Sequence, residues 1–321
     1  MRKNFFYPTL ILLLFFAATG QAQNREILAE LKIGIIGRDL EEAIYQAAHL
    51  GAQDAARELS KKYSIDVELL VATPSVSQGG NQPTSLTELF IQDVDGFVLS
   101  PKSQDIVEST VRFAQEQNQR VVFFESDLPD TNSLAALLAD ETAAGRLAGK
   151  AILKELPTAA RVALLTSTEP SQQLKQRLEG LRRTLGYRRI EAIVATEPNY
   201  RDAIKKIREV EEADRNGSIS GWVFLEDWPL RGMPALPWEP ADKPVVAIQS
   251  SPSAFIYSDQ GYLDALVVHP YYEWGYRGVE TLVENLYNGK SPETREILTE
   301  PRLIDWRNFD DYREKWKLWF K

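Results

Sequence analysis

The residues best suited to chemistry in this chain are acids that sit where apolar runs stop. Val121-Val122-Phe123-Phe124 is a short apolar run with polar flanks, the pattern of a strand buried on both faces. Glu125, Ser126 and Asp127 follow it at once. A second run, Leu134 to Ala139, stops at Asp140, whose carboxylate can accept hydrogen bonds from the first turn of a helix. In that helix Ala144, Leu147, Ala148, Ala151 and Ile152 recur at helical spacing, and Gly145 and Gly149 let another element approach closely. Acids at strand ends beside a helix start stand where open α/β sheets bind ligands. The same charges would serve equally to solvate a loop.

The elements that position these groups alternate along the chain. Lys32 to Ile36 reads as a buried strand ending at Gly37-Arg38-Asp39, with Asp39 capping a helix from Leu40 to Lys61. Val67 to Val71 is the next strand, and Thr73 to Pro83, rich in Ser, Gly, Gln and Pro, reads as a loop. A short helix from Leu86 to Ile91 and a strand over residues 95–100 follow, then a helix marked by Ile106, Val107, Val111 and Phe113. The pattern then restarts with Val162 to Leu165 as a strand, Pro170 to Leu185 as a helix, Ile190 to Ala195 as a strand and Tyr200 to Ala213 as a helix. Gly221 to Leu225, Pro244 to Ile248 and Leu263 to Val268 are further strands, before a helix from Tyr271 to Tyr287. Alternation of this kind means parallel sheets covered by helices. Trp306 to Lys321 is rich in aromatics and charge and is expected to pack on the outside of one unit.

Composition narrows the functions. Arg2 and Lys3, the apolar stretch Leu10 to Ala18 and the small-x-small Gly20-Gln21-Ala22 read as an export signal over residues 1–22, with a retained membrane anchor as the alternative. The chain has no cysteine, so disulfides, lipid attachment at the cleavage site, thiolate metal ligands and a Cys nucleophile are excluded. Two histidines leave little room for a His-rich metal site or a Ser–His triad. No metal or cofactor is expected. The net charge of −9 argues against nucleic acid as a partner.

Several stretches together resemble the type I periplasmic sugar-binding proteins, the ribose-binding group in particular. KIGIIG and AAHLGAQDAARELSKKY look like that family's first strand and helix, and LADETAAGRLAGKAIL is similar to its Asp-Asn-x-x-x-Gly-x-x-Ala-Gly stretch. QRLEGLRRTL resembles its Arg-x-x-Gly-Phe helix, and GYLDALVVHPYYEWGYRGVETLVENLYNGK its last large strand–helix block. The resemblance implies an α/β fold of two Rossmann-like lobes joined by three hinge crossings, with the ligand cleft between them. Carried onto this chain, one lobe spans residues 30–139 plus 269–298 and the other residues 140–268, leaving 299–321 as a final crossing and C-terminal tail.

The resemblance also implies a ligand set: Glu42, Tyr45, Glu125, Ser126, Lys175, Tyr200, Glu226, Gln249 and His269. Rings pack on the C–H faces of a sugar while planar polar groups bond its hydroxyls. Against the family pattern, Ser126 replaces an arginine and carboxylates accumulate at Glu42, Glu125 and Glu226, with Lys175 the nearby cation. Each acid has the alternative of pointing away from the cleft, Tyr45 of being a core ring, and His269 of being a hinge residue satisfied by backbone. Trp228 has no family counterpart, and its segment WPLRGMPALPW, whose prolines fall where the family has a helix, reads either as a lid or as a surface loop.

The expected function is therefore an exported, periplasmic, monomeric solute-binding protein that closes over a small neutral sugar or polyol and docks on an ABC importer permease. The alternative partner is a membrane sensor kinase or chemoreceptor. A third reading, an exported glycosidase with Glu125 and Glu226 as its acid pair, is disfavoured because opposed lobes hold such a pair poorly. No enzyme activity is expected.

Overall fold

A computed structural model describes residues 28–102, 104–249 and 251–319; the export signal read over residues 1–22 lies outside them. The opening apolar run forms β1 (Glu30–Ile36), followed by α1 (Ala43–Tyr63), β2 (Asp66–Val71), α2 (Gln82–Ile91) and β3 (Gly96–Leu99). Then come α3 (Gln104–Glu116), β4 (Arg120–Phe124) and β5 (Ala135–Ala139). The second run comprises α4 (Glu141–Glu155), β6 (Arg161–Ser167), α5 (Gln172–Leu185), β7 (Ile190–Thr196) and α6 (Tyr200–Ala213). It continues through β8 (Ile219–Phe224), β9 (Val245–Ile248), α7 (Ala254–Asp259) and β10 (Ala265–Val268). The chain ends with α8 (Tyr271–Asn288), β11 (Glu296–Thr299), β12 (Arg302–Asp305) and α9 (Phe309–Trp319).

These strands form two six-stranded sheets, ordered β11-β5-β4-β3-β1-β2 and β12-β10-β9-β8-β6-β7. All pairings are parallel except β12, which runs antiparallel to β10. Strands such as β3, β4, β9 and β10 are buried almost throughout, as sheets with helices on both faces require. The chain passes between the sheets three times. It leaves β5 at Ala139 to start α4, leaves β10 through His269 and Pro270 to start α8, and steps from β11 to β12. Each half thus repeats one strand order, although no sequence repeat announces it.

Asp140 caps α4, its Oδ1 accepting from the Ala143 amide at 2.7 Å. Asp39 does not cap α1. Residues 39–42 make a turn, with Glu42 N–H donating to Asp39 O at 3.2 Å, so the helix starts only at Ala43. α2 begins earlier than its apolar pattern suggests, because Asn81 accepts from the Thr84 amide at 3.0 Å and Pro83 is tolerated in the first turn. Residues 300–319 are more than a tail. β12 completes the second sheet, α9 buries Phe309, Tyr312 and Trp316 in that core, and Trp319 packs against both cores.

The packing of α4 on α5 matters most for the site. A Cβ on Gly145 would lie 1.9 Å from Arg177 O, and one on Gly180 2.1 Å from Thr142 O, so the helices cross with their backbones in contact. Replacing Gly180 with alanine is expected to force them apart at a cost of about 1–3 kcal/mol, as overpacking does. Urea unfolding measures this, and a variant as stable as the parent would contradict the close crossing.

Candidate functional site

A polar cleft of about 410 Å³ lies between the C-terminal ends of the two sheets. The close crossing of α4 and α5 aims Arg177 at Glu141, the first residue of α4. The guanidinium donates from Nε to Glu141 Oε2 at 2.6 Å and from Nη2 to Oε1 at 2.9 Å, a bidentate fork. Nη1 donates to Glu226 Oε1 at 2.7 Å and to Leu225 O at 2.9 Å. With its amide oriented to satisfy both ends, Gln249 donates to Glu226 Oε2 at 2.6 Å and accepts from Arg177 Nη2 at 3.3 Å. Arg177 is 2% exposed, and every edge of its fork faces protein.

His269 closes the network from the second crossing. Its Nε2 lies 3.2 Å from Arg177 Nη2 and 3.5 Å from Glu141 Oε2, within reach of both a donor and an acceptor. Its Nδ1 has no partner among the described residues. Burial lowers the His269 pKa to about 4 despite Glu141 nearby, which keeps the ring neutral. The ring stacks on Trp274 with centroids 5.9 Å apart. Beside it, the Tyr271 hydroxyl is buried with no partner among the described residues.

The two acids on Arg177 diverge. Burial raises the Glu226 carboxyl to about 7, with Arg177 opposing and Asp227 and Glu141 adding to the rise. Burial also pushes Glu141 upward, but Arg177 and His269 together outweigh it and hold Glu141 below the usual carboxylate range.

On the facing lobe Glu125 Oε2 accepts from the Tyr45 hydroxyl at 2.8 Å and from Ser100 Oγ at 2.6 Å. Arg38, at the end of β1, donates to Ser126 Oγ and lies 3.5 Å from Glu125 Oε2. Asp127, also in the cleft wall, is forked by Arg295 at 2.6 and 2.8 Å. Glu125 (φ +64°) and Gln249 (φ +73°) both occupy the left-handed region. They follow β4 and β9, which hold the same place in the two sheets. Such backbone costs on the order of 1–3 kcal/mol for a non-glycine residue, and here it turns one polar side chain from each lobe into the cleft.

Five of the nine residues read from sequence line the cleft: Glu125, Ser126, Glu226, Gln249 and His269. The other four do not. Tyr45 stands behind Glu125 as a buried ring, edge-on to Phe124 at 6.2 Å, and orients the acid. Glu42 is exposed at the start of α1, within electrostatic reach of Arg231 on the opposite lobe. Lys175 is exposed on α5, because helical geometry turns Arg177, two residues on, to the inside. Tyr200 donates to Met233 O and packs against Gly232, away from the cleft wall. The lid alternative for WPLRGMPALPW also fails. Trp228, Leu230, Leu236 and Trp238 turn into the second core, where Trp238 stacks on Trp222 at 6.1 Å.

Sequence reasoning missed Arg38, Glu141, Arg177 and Trp274 in the cleft wall. The signal for Arg177 was present, since Arg177-x-x-Gly180 is itself the Arg-x-x-Gly pattern, with the glycine making the helix contact that places the arginine. An arginine fork is therefore retained on the second lobe, and the cleft carboxylates are not left to a single lysine.

Similar architectures occur among solved structures. A periplasmic ribose ABC transporter protein from Conexibacter woesei superposes with a TM-score of 0.77 at 20% identity, covering 90% of this chain and 96% of that one. An arabinose-binding protein from Geobacillus stearothermophilus gives 0.73 at 17% identity, covering 88% and 99%. An ABC transporter solute-binding protein from Burkholderia graminis, in complex with D-arabinose, gives 0.70 at 18% identity, covering 88% and 97%. No curated protein sequence matches significantly. The periplasmic binding protein domain family matches residues 33–291, which with two like-ordered sheets and a cleft between them makes this chain a member of that family, with the type I fold.

Proposed function

We propose that the protein captures a small neutral sugar or polyol in the periplasm, closes over it and presents it to an ABC importer. The observation that carries this reading is the cleft, whose walls come from both lobes and offer acceptors on Glu125, Glu141 and Glu226, an amide on Gln249 and the Tyr271 hydroxyl. Hydroxyl donors match these acceptors, and Trp274 offers a ring to C–H faces, while the cleft carboxylates already face Arg38, Arg177 and Arg295. Residues of both lobes touching one ligand favour the closed state, because only that state makes both sets of contacts. Binding fits better than hydrolysis. Glu226 is engaged by Arg177 and Gln249, and Glu125 by Tyr45 and Ser100, so neither stands free as an acid or a nucleophile.

A thermal-shift screen of the mature protein against pentoses, hexoses, polyols and uronic acids tests the reading. A neutral ligand present at 100 times its dissociation constant is expected to add about 2.7 kcal/mol of stability. Small-angle scattering should then give a smaller radius of gyration with that ligand than without it. Stabilisation by uronic acids alone, or by none of the panel, would refute the assignment.

A further inference from the structure

A groove of about 790 Å³ runs behind the second crossing, on the far side from the cleft. His269 and Tyr271 line both cavities, so this crossing is the wall between them. The other walls of the groove come from opposite lobes, with Leu50 and Asp54 of α1 on the first and Ile304 of β12 and Tyr312 of α9 on the second. α9 is anchored on the second lobe by α7. Phe255 meets Phe309 at 5.5 Å and Trp316 at 5.9 Å, and Arg313 pairs with Asp259. The last turn of α9 then reaches across to the first lobe. Its Trp319 ring lies 5.4 Å from that of Trp316, is half-buried, and packs against the hydrophobic cores of both lobes. There α9 lies against α1.

We infer that α9 is a brace that opposes closure of the cleft, with Trp319 as its tip. Lobe closure is a rotation about the crossings. Because the cleft and the groove lie on opposite sides of the second crossing, a rotation that narrows the cleft widens the groove and draws α1 away from α9. Closure therefore uncovers apolar surface of Trp319 that the open arrangement keeps from water, and this cost enters the balance between open and closed states whatever the ligand. A second contact spans the groove, Arg302 of β12 donating to Glu273 of α8. It sits beside the crossings, where rotation changes distances least, and its side chains are 57% and 40% exposed, so it contributes little. The inference rests on the two-lobe fold and not on the sugar assignment.

The chain has no cysteine, so Gln78→Cys and Glu169→Cys supply the only two sites for spin labels, both exposed and following β2 and β6 at the cleft ends of the sheets. Pulsed electron double resonance on the ligand-free labelled protein reads the distance across the cleft. Trp319→Ala should move the population toward shorter distances, raising the ratio of closed to open protein about tenfold. Trp319→Phe, which keeps a ring at the tip, should fall between the parent and the alanine variant. Trp306→Ala removes an 83% exposed ring from the same lobe and should leave the distances as they were. Raising the salt to about 1 M should also change little, because the contact is apolar rather than ionic. An unchanged distribution in Trp319→Ala, a shift to longer distances, an equal shift in Trp306→Ala, or a salt effect as large as that of Trp319→Ala would overturn the proposal.

Discussion

Replacing Arg177 with methionine is expected to lower the unfolding free energy by about 3–5 kcal/mol, the cost of stranding buried charge. Arg177 holds Glu141 with two hydrogen bonds and Glu226 with one, and these acids are only 7% and 14% exposed in their side chains. Methionine keeps the aliphatic volume but none of the donors, so two desolvated carboxyls must take up protons or draw in water. The arginine is itself fully occupied by protein groups, and its work is to set the positions of Glu141, Glu226 and Gln249. Adding Glu141→Gln and Glu226→Gln to the methionine variant should recover much of the loss, because neutral amides remove the stranded charge. Urea denaturation of the single and triple variants measures both effects. A single variant within about 1 kcal/mol of the parent would be the behaviour of a surface ion pair and would contradict the buried network.

The two-sheet fold was legible in the sequence because its strands are buried on both faces and appear as short unbroken apolar runs, as at Val121 to Phe124. Helix starts were legible where a side chain caps, as at Asp140, and misread where a backbone turn intervenes, as at Asp39. The late strands β11 and β12 escaped notice because each is four residues long and partly exposed at a sheet edge. At the site, residues fixed by strand ends were found: Glu125, Glu226 and Gln249 each follow a strand at once or within two residues. Residues fixed by helix rotation were not. Choosing Lys175 over Arg177 turns on a rotation of about 200° around α5, which spacing alone does not resolve until Gly180 marks the face that meets α4. Tyr45 illustrates a third case, where the right residue acts through another, since its hydroxyl reaches the cleft only by way of Glu125.

Glu226→Gln should change how stability depends on pH more than how large it is. In the folded protein the Glu226 carboxyl titrates near 7, against 4.5 as the ordinary value for the unfolded chain. A group whose folded pKa is raised favours folding most below its unfolded pKa, and that contribution is lost as pH climbs through the folded pKa. Glu226 therefore makes stability fall between about pH 4.5 and pH 7, by something on the order of 3 kcal/mol. His269 acts in the opposite sense. Its pKa drops from 6.5 to about 4 on folding, so its contribution grows as pH rises through that interval, and His49, also lowered to about 4 by burial, adds to it. In the parent protein the Glu226 slope cancels only one of the two histidine slopes, so stability should still rise between pH 4.5 and pH 6.5, about half as steeply as the two histidines alone would make it. Glutamine cannot ionise, so the variant should show the histidine slope uncovered, gaining on the parent as pH rises from about 4.5 to about 7 and levelling off above it. Urea unfolding of both proteins across this range reads the difference directly. Parallel profiles would mean that Glu226 is already ionised at low pH, held there by Arg177 and the Gln249 amide rather than pushed up by burial.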